Sequence, residues 1–403
     1  MKENPIVKLS DVCDLIPGFA FKSSEFGEYK KKAVKIGDIQ PPYVNYGSMS
    51  GVDVSKYIIS KLAKYEISKG DFVLAMTGAT IGKIGRYISN TSAYINQRVL
   101  KFKPHDDVNA DFIYYIVSST TFQKYILNNI DSETAQPNIS AGSVGKYEFT
   151  LPSIEEQNRI AHILVSIDNK IQINRQINDN LEQQAKALYK SWFVDFEPFK
   201  EGKFIESELG VVPEGWQCIP FNMFVSESKA KTGEIGIKEF SVTNNGIFPR
   251  DAKYNKSLSQ SSAKNKLITC GDLVFGMSRD ILNWGVMREE RGGVSSAYSV
   301  YNINSEIVNS TYLERFIKSR IYLFSDLIRP AAREGQSIDK SLLLTKVLLL
   351  PPQDVLDTFW PLYNSVTNQI RTKTTEIASL SDIRDTLLPK LMSGELKINE
   401  IDC

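Results

Sequence analysis

Few side chains in this sequence are suited to acid–base or nucleophilic chemistry. Its 403 residues contain only two histidines, His105 and His162, which lie far apart along the chain. No phosphate-binding glycine loop is recognisable, since the fragment Gly233–Gly236 stands alone. The cysteines are scattered singly with no CxxC pair, which argues against a zinc site or a disulfide framework and suits a reducing cytoplasm. They are Cys13, Cys218, Cys270 and Cys403. We therefore expect no metal site and no catalytic site in this chain.

One short motif has to be weighed against that expectation. Gln40-Pro41-Pro42-Tyr43 resembles the Asn/Asp-Pro-Pro-Tyr loop of amino-methyltransferases. That chemistry needs a carboxylate or an amide to hold the target amine, and glutamine is not the usual residue. Because no glycine motif for a cofactor accompanies it, a loop with two prolines is the better interpretation.

Side chains that could read DNA form a second group. In the major groove Arg and Lys suit guanine, and Asn and Gln suit adenine. Thr77 to Arg86 is a glycine-rich connection whose backbone could approach a phosphate, and Lys83 and Arg86 supply charge. The alternative is a plain hairpin turn with two surface cations. The full candidate set is Thr77, Lys83, Arg86, Gln97, Arg98, Gln136 and Asn138 in the first half, and Arg279, Arg288, Arg333 and Gln336 in the second.

Charge alone does not decide between DNA binding and an ordinary solvated surface. The formal net charge of the chain is +1. Residues 1–150 carry a net +3 and residues 201–350 a net +2, whereas residues 151–200 carry −1 and residues 351–403 carry −3. Two mildly basic segments thus alternate with two acidic ones, and a basic face can be offset by an acidic one elsewhere.

The chain consists of two similar copies of about 200 residues each, and each copy has the length of a domain with a linker. Leu151-Pro152 recurs 199 residues later as Leu350-Pro351. Residues 69–73 resemble residues 270–274, and residues 91–94 resemble residues 295–298. Ser278-Arg279-Asp280 stands where the first copy has its glycine-rich connection. The repeat predicts a lobe at 1–150, a helical region at 151–200, a second lobe at 201–349 and a second helical region at 350–403.

The lobes are predicted to be mixed α/β. Strands are expected at 33–36, 71–75, 85–88 and 93–102, where β-branched or aromatic runs are cut by Gly and Pro, and Gln97-Arg98 is placed on the last of them. Residues 111–127 have helical spacing. The apolar face of that helix is formed by Phe112, Ile113, Ile116, Val117 and Ile126.

Each Leu-Pro pair precedes a long helix with a heptad seam, because apolar residues recur at steps of four and three. The seams are Ile160, Leu164, Ile167, Ile171, Leu181 and Leu188 in the first helix, and Val366, Ile370, Ile377, Leu380 and Leu387 in the second. Ser153 and Glu156 fit a capping box, and the first helix should end near Val194. In the second helix Pro389 and Gly394 crowd the C-terminus. Asn174, Asn178, Lys373 and Arg384 interrupt the seams, and they are either buried residues that fix the register or half-exposed positions.

A helix of ~35 residues is ~50 Å long and cannot hide such a seam alone, so the two helices should pack on each other. If a two-fold axis relates the repeats, the helices run antiparallel. They would then hold the lobes ~15 base pairs apart on one duplex. The predicted fold is α+β, with two similar mixed α/β lobes separated by two long antiparallel coiled-coil helices.

Several motifs resemble type I restriction–modification specificity subunits. Residues 188–199, LYKSWFVDFEPF, look like the central conserved region of that family, and residues 387–396, LLPKLMSGEL, look like the distal one. Leu151-Pro152 with Glu155-Glu156-Gln157 matches the start of the family's first helix. The likeness covers the whole chain, and the order of the parts also agrees.

The resemblance implies two target-recognition domains that read an asymmetric, bipartite site in double-stranded DNA. It also implies that the helices bind two methyltransferase subunits, which carry S-adenosylmethionine and methylate adenine, and that restriction–translocase subunits join the complex. This chain would have no cofactor and do no chemistry.

Two other functions stay open at this stage. The near-neutral charge is compatible with a coiled-coil scaffold whose lobes bind proteins. Only Gln40–Tyr43 motivates a methyltransferase or nuclease in its own right. The N-terminal residues MKENPIVKLSDV lack the apolar core of a signal peptide, and no apolar run is long enough to cross a membrane, so a cytoplasmic protein is expected.

Overall fold

The structure is a computed structural model. It describes residues 4–130, 137–233, 236–250, 258, 262–278, 281–328 and 338–396. The chain forms two compact units, and each long helix contributes one half to each of them. Unit 1 comprises Met1–Ile177 with Thr372–Cys403, and unit 2 comprises Asn178–Arg371. The residues before the first long helix are called lobe 1, and the residues between the two long helices are called lobe 2.

Lobe 1 is built on two mixed sheets and a small two-stranded ladder. Its strands are β1 (Ile6–Lys8), β2 (Cys13–Pro17), β3 (Phe26–Val34), β4 (Ile39–Gln40), β5 (Tyr43–Val44), β6 (Ser50–Val52), β7 (Glu66–Ile67), β8 (Phe72–Ala75), β9 (Ile84–Arg86), β10 (Ala93–Ile95), β11 (Val99–Pro104) and β12 (Glu148–Thr150). Its helices are α1 (Leu9–Val12), α2 (Ile59–Leu62), α3 (Ala110–Ser118), α4 (Thr120–Asn128) and α5 (Ala141–Gly145). The sheet orders are β2-β11-β8-β9-β5-β4, β6-β3-β10-β7 and β1-β12.

The long helices are α6 (Ile154–Phe193) and, after lobe 2, α9 (Gln353–Ser393). Lobe 2 contains β13 (Phe204–Ser207), β14 (Gly210–Pro213), β15 (Gln217–Pro220), β16 (Val225–Ser228), β17 (Phe240–Thr243), β18 (Gly246–Pro249), β19 (Lys266–Thr269), β20 (Leu273–Ser278), β21 (Ile281–Val286), β22 (Arg291–Val294), β23 (Ser299–Ile303) and β24 (Val347–Leu350), with helices α7 (Ser310–Ser319) and α8 (Lys340–Thr345).

The two lobes share a topology, which is the three-dimensional counterpart of the sequence repeat. The order β16-β23-β20-β21 in lobe 2 reproduces β2-β11-β8-β9 in lobe 1. The ladder β15-β24 likewise reproduces β1-β12, and in both lobes one of its strands is the last strand before a long helix. In each lobe the chain therefore passes from the last strand of this ladder directly into a long helix.

Apolar side chains of the long helices complete the core of each unit. In unit 1, Ile160, Leu164 and Leu391 belong to the same buried cluster as Phe112 and Phe149 of lobe 1. In unit 2, Tyr189, Phe193 and Phe359 of the helices join Tyr312 and Trp216 of lobe 2. Burial of one large apolar side chain is worth about 1.5–3 kcal/mol. Each lobe is thus fixed to its helix halves by a continuous apolar core.

The two helices run antiparallel. Within unit 1, Arg384 of α9 contacts Asp168 of α6. Also within unit 1, Lys170 of α6 pairs with Glu376 of α9 at 3.6 Å. As the residue number rises along α6, its partner's number falls along α9, which is the direction that the repeat predicts.

The seam residues differ in burial. Ile160, Leu164, Ile171 and Leu181 are buried, while the remaining seam residues, namely Ile167, Leu188, Val366, Ile370, Ile377, Leu380 and Leu387, are half-buried. Among the polar interruptions, Asn174 is fully buried, and Asn178, Lys373 and Arg384 are half-buried. Both interpretations of these interruptions therefore apply, at different positions.

The predicted strand at 93–102 is wrong as a single element. Residues 93–95 form β10 in the four-stranded sheet, and residues 99–104 form β11 in the six-stranded sheet. Between them the amide of Val99 donates to the carbonyl of Asn96 at 2.8 Å and closes a turn. Because the chain changes sheets here, Gln97 and Arg98 lie in a turn and not on alternate faces of a strand.

The alignment of residues 91–94 with 295–298 is also wrong. Ala93 and Tyr94 lie in β10, whereas Ala297 and Tyr298 lie in the turn between β22 and β23. That turn closes through the amide of Tyr298 and the carbonyl of Ser295, at 3.0 Å. Its counterpart in lobe 1 is the turn at 96–98, so the two similar sequence segments occupy different structural positions.

The predicted helix at 111–127 is interrupted at Ser119. This residue has extended backbone angles (φ −68°, ψ 153°), and its hydroxyl accepts from the amide of Phe122 as the cap of α4. Serine competes with the helix in this way because its side chain can satisfy a free amide at a helix start. The predicted apolar face is nevertheless buried in full.

Candidate nucleic-acid interface

The glycine-rich connection in lobe 1 is a loop between the paired strands β8 and β9. Gly78 and Gly82 adopt positive φ angles of 71° and 83°. The amide of Gly82 donates to the carbonyl of Ala75 at 2.9 Å, and the amide of Gly78 donates to Pro137 at 3.0 Å. A β-carbon on Gly82 would lie only 3.0 Å from the side chain of Gln123 on α4. Both glycines are therefore required by the fold of the loop itself.

Several predicted DNA contacts converge at the start of this loop. The amide of Met76 donates to the carbonyl of Arg98 at 3.0 Å, and Thr77 forms a β-bridge with Asn138. The guanidinium of Arg98 donates to the hydroxyl of Thr77 at 3.3 Å. Gln97 and Arg98 are exposed, and Asn138 is half-buried. We call Gln97, Arg98 and Asn138 the reading cluster.

Thr77 supports this cluster from inside the protein. Its side chain is buried, with 1% exposure, and its hydroxyl donates to the carbonyl of Pro137 at 2.9 Å. The same oxygen accepts from Arg98. The predicted contact of Thr77 with DNA does not fit this environment, and the residue instead orients the arginine beside it.

Arg86 and Arg288 each connect a strand to a helix of their own lobe through side-chain contacts. Arg86 pairs with Asp111 of α3 at 2.6 Å, and its guanidinium lies 3.9 Å from the ring centroid of Tyr114. Arg288 follows β21, donates to Thr311 of α7 at 3.1 Å and pairs with Glu314. Both arginines join the end of an equivalent strand to an equivalent helix. The structure therefore gives them a shared intramolecular role that differs from the predicted DNA contact.

The other predicted DNA contacts either lie outside the reading cluster or fall outside the described residues. Lys83 is exposed and is the last residue of the loop before β9. Gln136, Arg279, Arg333 and Gln336 lie outside the described residues.

Sequence reasoning missed basic residues beside the reading cluster. The amide of Asn96 donates to the carbonyl of Val34 at 3.0 Å, so Lys35 lies next to the turn that carries Arg98. The ammonium of Lys35 is 3.7 Å from the ring centroid of Phe26. The run Lys30-Lys31-Lys32 on the same strand was the available sequence signal.

Lobe 2 contains a second basic group that sequence reasoning missed. Lys231 forms a β-bridge with Lys266, and the ammonium of Lys266 donates to the carbonyl of Tyr298 at 2.6 Å. Burial lowers the pKa of Lys266, and the charges of Lys340 and Lys229 lower it further. Glu227, which pairs with Lys340, opposes this lowering, so the group already contains an anion. The signal in the sequence was two Lys-x-Lys patterns, at 229–231 and 264–266.

The residues weighed for catalysis are placed as follows. Gln40 and Tyr43 face each other in the hairpin of β4 and β5, and the side-chain oxygen of Gln40 accepts from Asn45 at 3.3 Å. His105 is 3.3 Å from Asp14, and His162 is exposed on α6. Among the described residues, no group of three or more His, Cys, Asp or Glu could hold a metal ion. None of the described helices has both the length and the apolar character needed to cross a membrane.

Comparison with known proteins agrees with this architecture of two equivalent lobes and two antiparallel helices. The family model described as the type I restriction modification DNA specificity domain matches residues 1–183. The MjaIX specificity subunit of Methanocaldococcus jannaschii, a type I restriction enzyme component, is 25% identical and aligns over 94% of this chain and 97% of its own length. The HindI specificity subunit of Haemophilus influenzae is 31% identical over 34% of this chain and 31% of its own.

A solved structure shows the same fold. The type I restriction–modification S subunit from M. genitalium superposes with a TM-score of 0.54 at 13% identity, and the match covers 96% of both chains. The fold class is thus confirmed as α+β. Residues 1–183 match the family model, and nearly the whole chain is similar to a type I restriction enzyme specificity subunit.

Proposed function

We propose that this chain gives a type I restriction–modification enzyme its DNA sequence specificity and does no chemistry itself. Each lobe would read one half of a bipartite, asymmetric site in double-stranded DNA. The observation that carries the proposal is the equivalent turn of the two lobes. It presents Gln97 and Arg98 in lobe 1 and Ser296 and Ala297 in lobe 2, all exposed, within the same strand order. A shared scaffold with different side chains at one position suits two half-sites of different sequence.

The helices would carry the other subunits. Large apolar side chains stay exposed on them in this chain, with Ile173 at 50%, Ile383 at 45% and Leu362 at 49% exposure. Such surfaces favour a protein partner. We propose that two methyltransferase subunits dock there and bring S-adenosylmethionine, that restriction–translocase subunits join them, and that the complex works in the cytoplasm.

The test is to co-express the chain with its methyltransferase subunit and to map methylated adenines in the host genome. Exchange of residues 201–349 for lobe 2 of a relative should change one half of the methylated sequence and leave the other half intact. A methylated sequence that stays the same after the exchange would refute the assignment of half-sites to lobes. Methyl transfer by the purified chain alone would refute the non-catalytic role.

A coiled-coil scaffold is the second candidate, and the formal net charge of +1 favours it. Ionic strength separates the two functions, because phosphate contacts make affinity fall steeply with salt. Binding that is unaffected by salt and by DNA sequence would favour the scaffold.

A further inference from the structure

Unit 1 contains a cleft of about 400 Å³ outside the reading cluster. Its walls come from the β4–β5 hairpin, the loop from β8 into β9, helices α3 and α4, and the parts of α6 and α9 that belong to unit 1. The charged residues that line it are Lys83, Asp168, Arg175, Arg384 and Asp385. Three cations from three different elements therefore meet at one cleft.

The three cations differ in what they already bind. Arg384 donates to Asp168 at 2.9 Å and to Asp385 at 2.9 Å, so its charge is largely compensated. Lys83 and Arg175 are exposed. Neither of them forms an ion pair within the part of the chain that the structure describes. Two cationic groups thus remain for an outside anion.

The charged groups of the cleft also act on the phenol of Tyr43 in β5. The hydroxyl of Tyr43 lies 3.5 Å from the side-chain oxygen of Gln172 on α6. Burial, followed by the charge of Asp168, raises the pKa of Tyr43, and Arg175 leads the arginines that oppose this rise. Asp168 and the arginines thus act on the same phenol in opposite directions.

The cleft lies close to the reading cluster. The amide of Ala75 donates to the carbonyl of Lys83 at 2.9 Å, so these residues face each other across the base of the loop. Residues that face each other on paired strands have Cα atoms ~5 Å apart, as Lys83 and Ala75 do, and Thr77 lies two residues, or ~7 Å, beyond Ala75. The Cα atoms of Lys83 and Thr77 are therefore ~9 Å apart. Thr77 holds Arg98. A major groove is ~12 Å wide, so its bordering phosphates come within reach of Lys83 when a base edge meets Arg98.

We propose that Lys83 and Arg175 bind a backbone phosphate of the duplex whose bases face the reading cluster. The first long helix then contacts DNA directly and is more than a spacer between lobes. The proposal rests on the proposed function, since it needs a duplex at lobe 1. DNA is favoured over an acidic peptide of a partner because one loop links the cleft to the base-reading residues.

The experiment measures affinity for a 30-base-pair duplex of random sequence as a function of salt, by fluorescence anisotropy. The full chain is used, in complex with any methyltransferase subunits that co-purify with it. The variant is Lys83→Gln with Arg175→Gln. A lost phosphate contact lowers the slope of log affinity against log salt by about 0.9, so up to about 1.8 is expected for two contacts. At 0.1 M salt this corresponds to roughly a tenfold loss of affinity per contact.

The matched control is Lys69→Gln with Lys103→Gln. These exposed lysines lie before β8 and near the end of β11, at the end of the same sheet that is remote from the loop. The control changes the net charge equally and should leave the slope unchanged. Arg175→Glu, on the exposed helix surface, provides a second variant that should lower the slope by at least the ~0.9 expected for one contact.

The possible results separate the inference from the function on which it rests. Salt-dependent binding with the same slope in wild type and variant would overturn the inference and leave the proposed function intact. An unchanged slope combined with loss of the methyltransferase subunit would assign the cleft to a protein partner. A wild-type complex without salt-dependent DNA binding would overturn both proposals.

Discussion

Replacement of Arg98 by alanine should relax recognition at one base pair in the half-site of lobe 1. The guanidinium of Arg98 is exposed at the turn between β10 and β11, and the hydroxyl of Thr77 holds it at 3.3 Å. A well-placed arginine contact with a base contributes about 1–3 kcal/mol of discrimination, or roughly 5- to 150-fold in relative affinity. The loss should fall on one position, because each base pair is read largely independently.

The assay compares binding of the complex to a panel of duplexes that differ at single positions of the methylated sequence. Thr77→Val provides the companion variant, because it removes the hydroxyl that holds Arg98 and keeps a similar side-chain volume. We expect a smaller loss of discrimination at the same base pair. The half-site of lobe 2 is the internal control. Equal discrimination by wild type and Arg98→Ala at every position would refute the placement of the reading cluster.

Four further results are expected. Arg86→Gln should lower the free energy of unfolding by about 1–2 kcal/mol in a denaturant titration without changing the preferred sequence, because its ion pair and ring contact lie inside lobe 1; an altered sequence preference would contradict this intramolecular role. Asp168→Ala should cost about 1–3 kcal/mol, since the hydroxyl of Tyr115, which donates to Asp168 at 2.7 Å, loses its acceptor while remaining buried; an unchanged thermal midpoint would count against this. Burial raises the pKa of Tyr114 and of Tyr301 to about 12. Because these tyrosines ionise near pH 10 in the unfolded chain, the free energy of unfolding should fall progressively between pH 10 and 12, by about 1.4 kcal/mol per unit of pKa difference for each tyrosine. An ultraviolet titration in which all tyrosines ionise near pH 10 before the protein unfolds would refute this prediction. Removal of one heptad from both α6 and α9 should change the number of unread base pairs and not the half-site sequences, and a methylome with unchanged spacing would contradict the proposed role of the helices.

Sequence reasoning located the large elements because their signals are local. The heptad steps and the Leu-Pro pairs require only the neighbouring residues, and the helices that they predict extend over 40 and 41 residues in the structure. The repeat was visible for the same reason. The strand at 93–102 was predicted wrongly because the turn at residues 96–98 serves two different sheets, and that depends on partners that no local pattern contains.

The contacts of individual cations could not be predicted from the sequence. Arg86 and Lys83 stand three residues apart in one glycine-rich segment, yet Arg86 is paired with Asp111 and Lys83 is exposed at a cleft. The difference arises from α3 and α6, which approach the two side chains from distant parts of the chain. Arg175 lies in a helix whose pattern reports only its apolar face. The sequence therefore identified a set of possible DNA contacts, and the tertiary structure separated the cations that are paired inside the protein from those that are exposed.

The position of the reading cluster suggests how one scaffold accommodates many target sequences. Strand order and the apolar core depend on residues within strands, where a substitution changes packing and costs stability. The turn at 96–98 lies outside the ladders and is closed by a backbone hydrogen bond, so its side chains can change at little energetic cost. Lobe 2 keeps the turn and its closing bond and carries the exposed residues Ser296 and Ala297 there. Under the proposed function, specificity would vary in the turns while the strands and helices that support them stay the same.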